Sequence, residues 1–198
     1  MSKGNLFVIS GASGVGKSTV LSKVMAARSD LQFSVSATTR APRPGETDGV
    51  NYYFVNHEEF EKMIAEDAFV EYDRHMANYY GTPTKQLEEK LVSGSVILDI
   101  EPVGAGNVRK KRPDATLIFI APPSMEELER RLRGRNTDDE QTICKRLSRA
   151  LEEVREINMY DYLVINDQVD NAVAELDAIM SAAECRVANR RQIMDQFV

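Results

Sequence analysis

Four short runs of apolar residues, separated by stretches with helical spacing, constrain the fold of this 198-residue chain more than any other feature. They are dense in Leu, Ile, Val and Phe, as strands must be when helices cover both faces of their sheet. The runs are LFVIS at 6–10, SVILDI at 95–100, ATLIFI at 115–120 and DYLVIN at 161–166. Between them, apolar residues recur at helical spacing, as at Val20, Leu21 and Val24. This alternation predicts an α/β fold around a mostly parallel sheet.

Two segments interrupt the alternation. Residues 33–83 are rich in Gly, Pro and Tyr around one short predicted helix at 58–66, so we expect a small lobe inserted in the main fold. Residues 124–150 have a helical pattern and many arginines, which favours a mobile lid. Apolar spacing up to Val187 predicts a terminal helix over 170–191. The segments assigned to the core domain are 1–32, 84–123 and 151–198.

Composition excludes several classes of function. The net charge is −6, so long-range attraction to nucleic acid or to an anionic membrane is not expected, and any basic site must be local. The two cysteines are far apart and there are two histidines, a pattern that suggests neither a disulfide framework nor a zinc site. No apolar run reaches the length of a membrane span or of a signal-peptide core. We therefore expect a cytoplasmic protein, as a monomer or a homo-oligomer.

The strongest chemical signal is GASGVGKS at 11–18, which matches the P-loop pattern G-x-x-x-x-G-K-[ST] between a predicted strand and a predicted helix. Its glycines allow a tight turn whose N–H groups converge on phosphate oxygens. Lys17 would reach the β- and γ-phosphates of a nucleoside triphosphate, and Ser18 would bind Mg²⁺. A chance match is expected in about 1% of chains of this length. The predicted ATP-binding residues are Gly11, Ala12, Ser13, Gly14, Val15, Gly16, Lys17, Ser18 and Thr19.

Asp99 follows three apolar residues at the end of a predicted buried strand. A P-loop site needs a carboxylate in such a place to hold Mg²⁺ or its waters, so we predict Asp99 as a second metal ligand. The alternative is an acid that only caps or solvates the end of the strand.

The stretch TTRAPRPGE at 38–46 holds two arginines in a segment stiffened by two prolines. Because proline fixes φ, less entropy is lost when Arg40 and Arg43 are ordered together. Two planar guanidiniums presented side by side suit a phosphate dianion, which they bind by charge-assisted hydrogen bonds. The alternative is a pair of solvated loop arginines.

Several motifs occur together in one order, and with them the chain resembles the guanylate kinases over nearly its whole length. They are the P-loop, SATTRAPRPGETDGVNYYFV, FVEYDRHMANYYGTP, RLRGR and YDYLVIND. The resemblance implies a P-loop nucleoside monophosphate kinase fold with a core, a GMP-binding lobe and a helical lid. It also implies the reaction ATP + GMP → ADP + GDP with Mg²⁺.

The resemblance further implies roles for residues that match family positions. Contacts to the GMP phosphate fall on Arg40, Arg43, Tyr52 and Tyr80, and contacts to guanine fall on Ser36, Glu71, Thr82 and Glu101. For Glu71 the chemistry agrees, because one carboxylate can accept from both N1–H and N2–H of guanine, whereas adenine has no N1–H.

On the donor side, the resemblance places Asn166 near the adenine and three lid arginines at the transferring phosphates, namely Arg131, Arg135 and Arg146. The attacking phosphate oxygen is already anionic, so the chemical problem is to bring two polyanions together, and cations must neutralise both. Lys17 and these arginines are therefore the predicted catalytic residues. Arg133 we assign instead to an ordinary surface pair with Glu129.

One short stretch departs from the family pattern. Guanylate kinases usually have Asp-x-Gln-Gly where this chain has EPVG at 101–104. The acid at Glu101 is one methylene longer, and Val103 replaces the amide, so the charge is kept while the geometry changes.

Two alternatives stay open. Ribosyl-bisphosphate kinases share this type of fold, but Glu71 and the two tyrosines of the lobe would be superfluous for a sugar phosphate. Guanylate-kinase-like interaction modules in scaffolding proteins bind phosphorylated peptides and typically lack a working P-loop. The presence of Lys17 and Ser18 favours catalysis.

Overall fold

In the computed structural model of the protein, the described residues are 4–75, 77–135 and 138–190. Within these ranges the chain forms nine strands and seven α-helices. In chain order they are β1 Leu6–Gly11, α1 Lys17–Ala27, β2 Leu31–Phe33, β3 Ala37–Thr38, β4 Tyr53–Phe54, α2 His57–Ala65, β5 Phe69–His75, β6 Asn78–Pro83, α3 Thr84–Ser93, β7 Ser95–Asp99, α4 Pro102–Lys111, β8 Thr116–Ala121, α5 Met125–Gly134, α6 Glu140–Arg155, β9 Tyr162–Ile165 and α7 Val169–Glu184.

The larger sheet has five parallel strands in the order β2, β7, β1, β8, β9. Successive residues of β1 face opposite sides, since Phe7 and Ile9 join one apolar cluster while Leu6 and Val8 join another. Helices α1 and α7 cover the first cluster, and α3 and α4 cover the second. The predicted α/β fold with a mostly parallel sheet is confirmed, including all four predicted strands.

Strand β2 is not predicted by any pattern in the sequence. This strand has only three residues, includes the polar Gln32, and pairs with β7 alone at one edge of the sheet. An edge strand of this length gives no periodicity that a sequence pattern can detect.

A second, smaller sheet is formed by β4, β3, β6 and β5 in that order. Helix α2 packs on this sheet and begins with a capping box, in which Asn56 and Glu59 each accept a backbone N–H of the other. The helix inserts Phe60, whose ring stacks on Phe69 at 4.4 Å and on Tyr79 at 5.1 Å between centroids. The helix expected at 58–66 is thus present, one residue earlier.

Helix α4 joins the two sheets. It covers one face of the larger sheet and also packs against β5 of the smaller sheet. At its end, the Lys111 ammonium donates to the Phe69 carbonyl oxygen at 2.8 Å. As a result, the smaller sheet lies beside the carboxyl ends of the parallel strands, where open α/β sheets bind their ligands.

The terminal helix is shorter than expected. Helix α7 packs along α1 and is held to it by Arg28, which pairs with Asp177 and Glu184, but it ends at Glu184. The predicted extent to 191 was wrong within the described chain, because a 3₁₀ turn follows at Val187–Arg190 and Val187 is 70% exposed. Residue 191 itself lies outside the described residues, as do residues 136 and 137 of the expected lid.

Among the described residues, no helix is both long and apolar enough to cross a membrane.

Replacing Phe60 with Ala should lower the free energy of unfolding by about 3–5 kcal/mol, because the core of the smaller sheet has few other large side chains to close the cavity. Chemical denaturation of the purified variant measures this. Val92→Ala is the matched control, since Val92 is 70% exposed and its loss should change stability by less than about 0.5 kcal/mol. A loss below about 1 kcal/mol for Phe60→Ala would show that the smaller sheet does not depend on this ring.

Candidate functional site

The P-loop connects β1 to α1 in the form that phosphate binding requires. Gly14 and Gly16 have φ of 85° and 92°, a left-handed conformation that favours glycine. In the described part of the chain no side chain caps the start of α1, so the N–H groups of Lys17 and Ser18 can bind an anion. A cavity of about 750 Å³, here called the P-loop cavity, is lined by every residue predicted from the motif, 11 to 19.

Lys17 and Asp99 form an ion pair at the floor of this cavity. Asp99 ends β7, and Lys17 begins α1 after the loop that follows the adjacent parallel strand β1, in which Ile9 lies opposite Asp99. Ser18, in the first turn of α1, lines the same cavity. A hydroxyl and a carboxylate are the oxygen donors that Mg²⁺ accepts, so the residues present fit the predicted ion.

A second cavity, here called the Glu71 cavity, lies between the smaller sheet and the end of β7 and has a volume of about 350 Å³. Its lining includes Ser36, Tyr52, Glu71, Tyr80 and Glu101, all predicted from the sequence. Four residues line both cavities and mark the place where they meet, namely Lys17, Asp99, Glu101 and Arg149.

Glu71 is the most deeply buried acid of the Glu71 cavity. Thr82 donates its hydroxyl to Glu71 Oε1 at 2.6 Å, which places two predicted residues in direct contact. Burial raises the pKa of Glu71 to about 7, and the charge of Asp73 adds to this rise. A Cβ at Gly104 would lie 2.7 Å from Glu71 Oε2, so α4 approaches this carboxylate as closely as a residue without a side chain allows.

Glu46 orders the stretch that carries the two predicted phosphate-binding arginines. Arg40 donates to both oxygens of Glu46 at 2.9 and 2.8 Å, and the backbone N–H of Arg43 donates to Glu46 Oε2 at 2.7 Å. The Arg40 guanidinium also lies 5.4 Å from the ring centroid of Tyr52, and Tyr52 is 6.1 Å from Tyr80. The structure therefore brings Arg40 and both tyrosines together, while the side chain of Arg43 is exposed.

The arginines of the expected lid take three different positions. Arg135 and Arg146 line the P-loop cavity, where Arg135 donates to the Gly14 carbonyl oxygen at 2.9 Å and Arg146 pairs with Asp138 at 3.2 Å. Arg133 pairs with Glu129 and with Glu140, so the predicted surface pair is confirmed.

Arg131 and Asn166 are directed into the protein. Arg131 donates to the carbonyl oxygens of Asn166 and Asp167 at 2.6 and 2.7 Å and does not line the P-loop cavity. The Asn166 side chain is buried and donates to the P-loop carbonyl oxygen of Val15 at 2.8 Å. A contact of Asn166 with adenine, and one of Arg131 with a phosphate, stay predictions.

Arg149 and Glu153 belong to the site but were not predicted. Arg149 contacts Glu101 at 2.9 Å and Glu153 at 2.9 Å, and Glu153 accepts the P-loop N–H of Ser13 at 2.6 Å. The one sequence signal was the i, i+4 spacing of Arg149 and Glu153 on a helix, which is equally typical of an exposed pair. Burial raises the pKa of Glu153, as does the neighbouring carboxylate of Glu101.

Comparisons with known proteins agree on one family. The sequence model of the guanylate kinases matches residues 3–183. A guanylate kinase from Latilactobacillus sakei is 47% identical over 197 residues, which cover 98% of this chain and 96% of that protein. One from Escherichia coli K12 is 44% identical over 201 residues, with 100% and 97% covered. The crystal structure of guanylate kinase from Anaplasma phagocytophilum is similar, with a TM-score of 0.75, 32% identity, and 99% and 96% covered.

Replacing Glu71 with Gln should make stability less dependent on pH. Because the native pKa is raised from 4.5 to about 7, the unfolded state releases this proton first, and the native state loses stability as pH rises through that window. As pH rises from about 5 to about 8, the free energy of unfolding of the variant should increase by about 1–3 kcal/mol relative to that of the original protein. Urea unfolding at several pH values measures this, with the exposed Glu61→Gln as control. A parallel pH dependence of the two proteins would show that Glu71 ionises normally.

Proposed function

This chain belongs to the guanylate kinase family of ATP:GMP phosphotransferases, and we propose that its two joined cavities hold the two nucleotides of that reaction. The observation that carries the proposal is their meeting point, since Lys17 and Asp99 line both. A phosphate bound on either side would therefore approach the same lysine.

The P-loop cavity is proposed as the ATP site. The free N–H groups at the start of α1 and the Lys17 ammonium would bind the phosphates. We propose residues 124–150 as the lid, because Arg135 and Arg146 from this segment already line the cavity. Arg131 would have to leave its backbone carbonyl partners to reach a phosphate. Asn166 supports the P-loop through Val15, and we propose that it also contacts the adenine.

The Glu71 cavity is proposed as the GMP site, and residues 33–83 as the GMP-binding lobe. Arg40, Arg43, Tyr52 and Tyr80 would bind the phosphate, with Arg40 held in place by Glu46. Guanine would be bound by Ser36, Glu71, Thr82 and Glu101. Only the ionised form of Glu71 can accept both N1–H and N2–H, so guanine binding should displace the proton that burial favours.

The residues at the meeting point bring the reacting groups together and neutralise them. The attacking oxygen belongs to a phosphate that is already anionic, so orientation and charge neutralisation matter more than proton removal. Lys17, Arg135 and Arg146 would neutralise the phosphates from the ATP side, and Arg40 and Arg43 from the GMP side. Mg²⁺, held by Ser18 and Asp99, would supply a Lewis acid for the phosphate oxygens. In that state Lys17 would exchange its contact with Asp99 for a phosphate.

The first test is ADP formation from Mg-ATP with GMP, AMP, UMP, CMP or ribose 1,5-bisphosphate as the acceptor. We expect selective turnover of GMP, and a Lys17→Ala variant should lose turnover by a factor on the order of 10³ or more while keeping its circular dichroism spectrum. Turnover of the sugar phosphate, or nucleotide binding without any turnover, would support one of the two alternatives. Full activity of Lys17→Ala would remove the P-loop from the mechanism.

Two arginines of the proposed lid provide a matched comparison. Arg146→Ala should lower kcat by on the order of 10²-fold or more, because Arg146 lines the cavity proposed for the ATP phosphates, whereas Arg133→Ala should stay within about threefold, because Arg133 pairs with surface acids. Steady-state kinetics with saturating ATP and GMP measure both. Equal losses in the two variants would indicate that the arginines act through lid stability and not through the phosphates.

A further inference from the structure

Arg149 is the residue at the meeting point of the cavities to which neither the sequence analysis nor the proposed function gives a role. It lies on α6 and lines both the P-loop cavity and the Glu71 cavity. Its guanidinium binds two carboxylates, Glu101 through Nη2 and Glu153 through Nε. An arginine fork fixed by two acids has one geometry, unlike a solvated arginine that samples many.

The second acid makes this arrangement rigid. Glu153 is buried, and its Oε2 accepts the Ser13 N–H of the P-loop at 2.6 Å while Oε1 accepts from Arg149 at 2.9 Å. Each oxygen thus has a defined partner, so the carboxylate cannot turn without losing one. Glu153 therefore fixes the orientation of the Arg149 guanidinium.

The first acid, Glu101, is less enclosed than Glu153. It precedes α4, has a half-exposed side chain, and is one methylene longer than an aspartate would be. A longer side chain has an additional rotatable bond and loses more entropy when a ligand orders it. The contact with Arg149 at 2.9 Å removes much of this freedom before any ligand arrives.

Glu101 lies where a second acceptor for guanine is needed. The exocyclic amine of guanine has two N–H groups, and Glu71 can accept one of them together with N1–H. Glu101 lines the same cavity, and Gly104 on the helix that follows it leaves no room for a side chain beside the Glu71 carboxylate. A carboxylate has enough lone pairs to accept from Arg149 and from the amine at once.

We propose that Arg149 is a positioning residue for base specificity, which holds Glu101 in the orientation that accepts the 2-amino group of guanine. The proposal rests on the assignment of the Glu71 cavity as the GMP site. Through Arg149, the selectivity of that site for the 2-amino group depends on Glu153 of α6, which lies outside the smaller sheet that supplies Glu71.

The test compares GMP with inosine monophosphate, which has the same N1–H, phosphate and sugar but lacks the 2-amino group. For each protein, kcat/KM is measured for both acceptors at fixed Mg-ATP. Arg149→Met should lower the ratio of GMP to inosine monophosphate about tenfold, the loss expected for one charged hydrogen bond, mainly through a higher KM for GMP. Because the ratio uses one protein sample, an unfolded fraction cancels.

Three further variants complete the design. Arg149→Lys should keep part of the discrimination, since an ammonium can bind Glu101 without the fork. In a Glu101→Ala background, Arg149→Met should lower the ratio no further, because its effect passes through Glu101. Arg155→Met is the matched control on the same helix, as Arg155 is exposed and its side chain makes no hydrogen bond or ion pair with the described part of the chain, and its ratio should equal that of the original protein.

An unchanged ratio in Arg149→Met, or an equal loss for both acceptors, would overturn the proposal, because the arginine would then act on nothing or on groups that both acceptors share. Equal use of the two acceptors by the original protein would overturn it as well. Absence of GMP turnover in the original protein would instead contradict the proposed function, so the two failures are distinguishable.

Discussion

The ion pair between Lys17 and Asp99 joins the start of α1, just after the P-loop, to the end of β7, and the arrangement of the site follows from it. Parallel strands bring their carboxyl ends to one edge of the sheet, so the loop that follows β1 and the acid that ends β7 lie close together. The P-loop cavity opens on one side of this pair and the Glu71 cavity on the other. Helix α4, which begins just beyond Asp99, then brings the smaller sheet to the same edge.

Several cations of the site already have an acidic partner within the chain. Lys17 pairs with Asp99, Arg40 with Glu46, Arg146 with Asp138, and Arg149 with Glu101 and Glu153. A chain with a net charge of −6 can thus present a strongly basic local site without a basic surface. The paired acids keep the long side chains in defined rotamers, which lowers the entropy lost when a phosphate arrives, although the phosphate must compete with them.

Features formed by residues that are close in the sequence could be predicted, whereas contacts between residues that are far apart in the sequence were missed. The parallel strands are local patterns, and their prediction was confirmed; the P-loop, also a local pattern, lies between a strand and a helix as expected. The roles of Glu71, Thr82 and the two tyrosines were predicted only from the family resemblance. Glu153 is 140 residues from the Ser13 N–H that it binds, and only folding shows that this acid is buried. The same holds for Arg131, whose carbonyl partners lie on another element, and for the short edge strand β2.

The close approach of Gly104 to Glu71 divides the stretch EPVG into two parts with different tolerance for change. Val103 is 61% exposed, so other side chains fit at this position without disturbing a packed neighbour. At position 104, by contrast, a methyl group would lie 2.7 Å from a buried carboxylate oxygen. Position 103 can therefore change at little steric cost, whereas the glycine at 104 is fixed by the volume that the buried Glu71 occupies on β5, and Glu101 is constrained separately by its contact with Arg149.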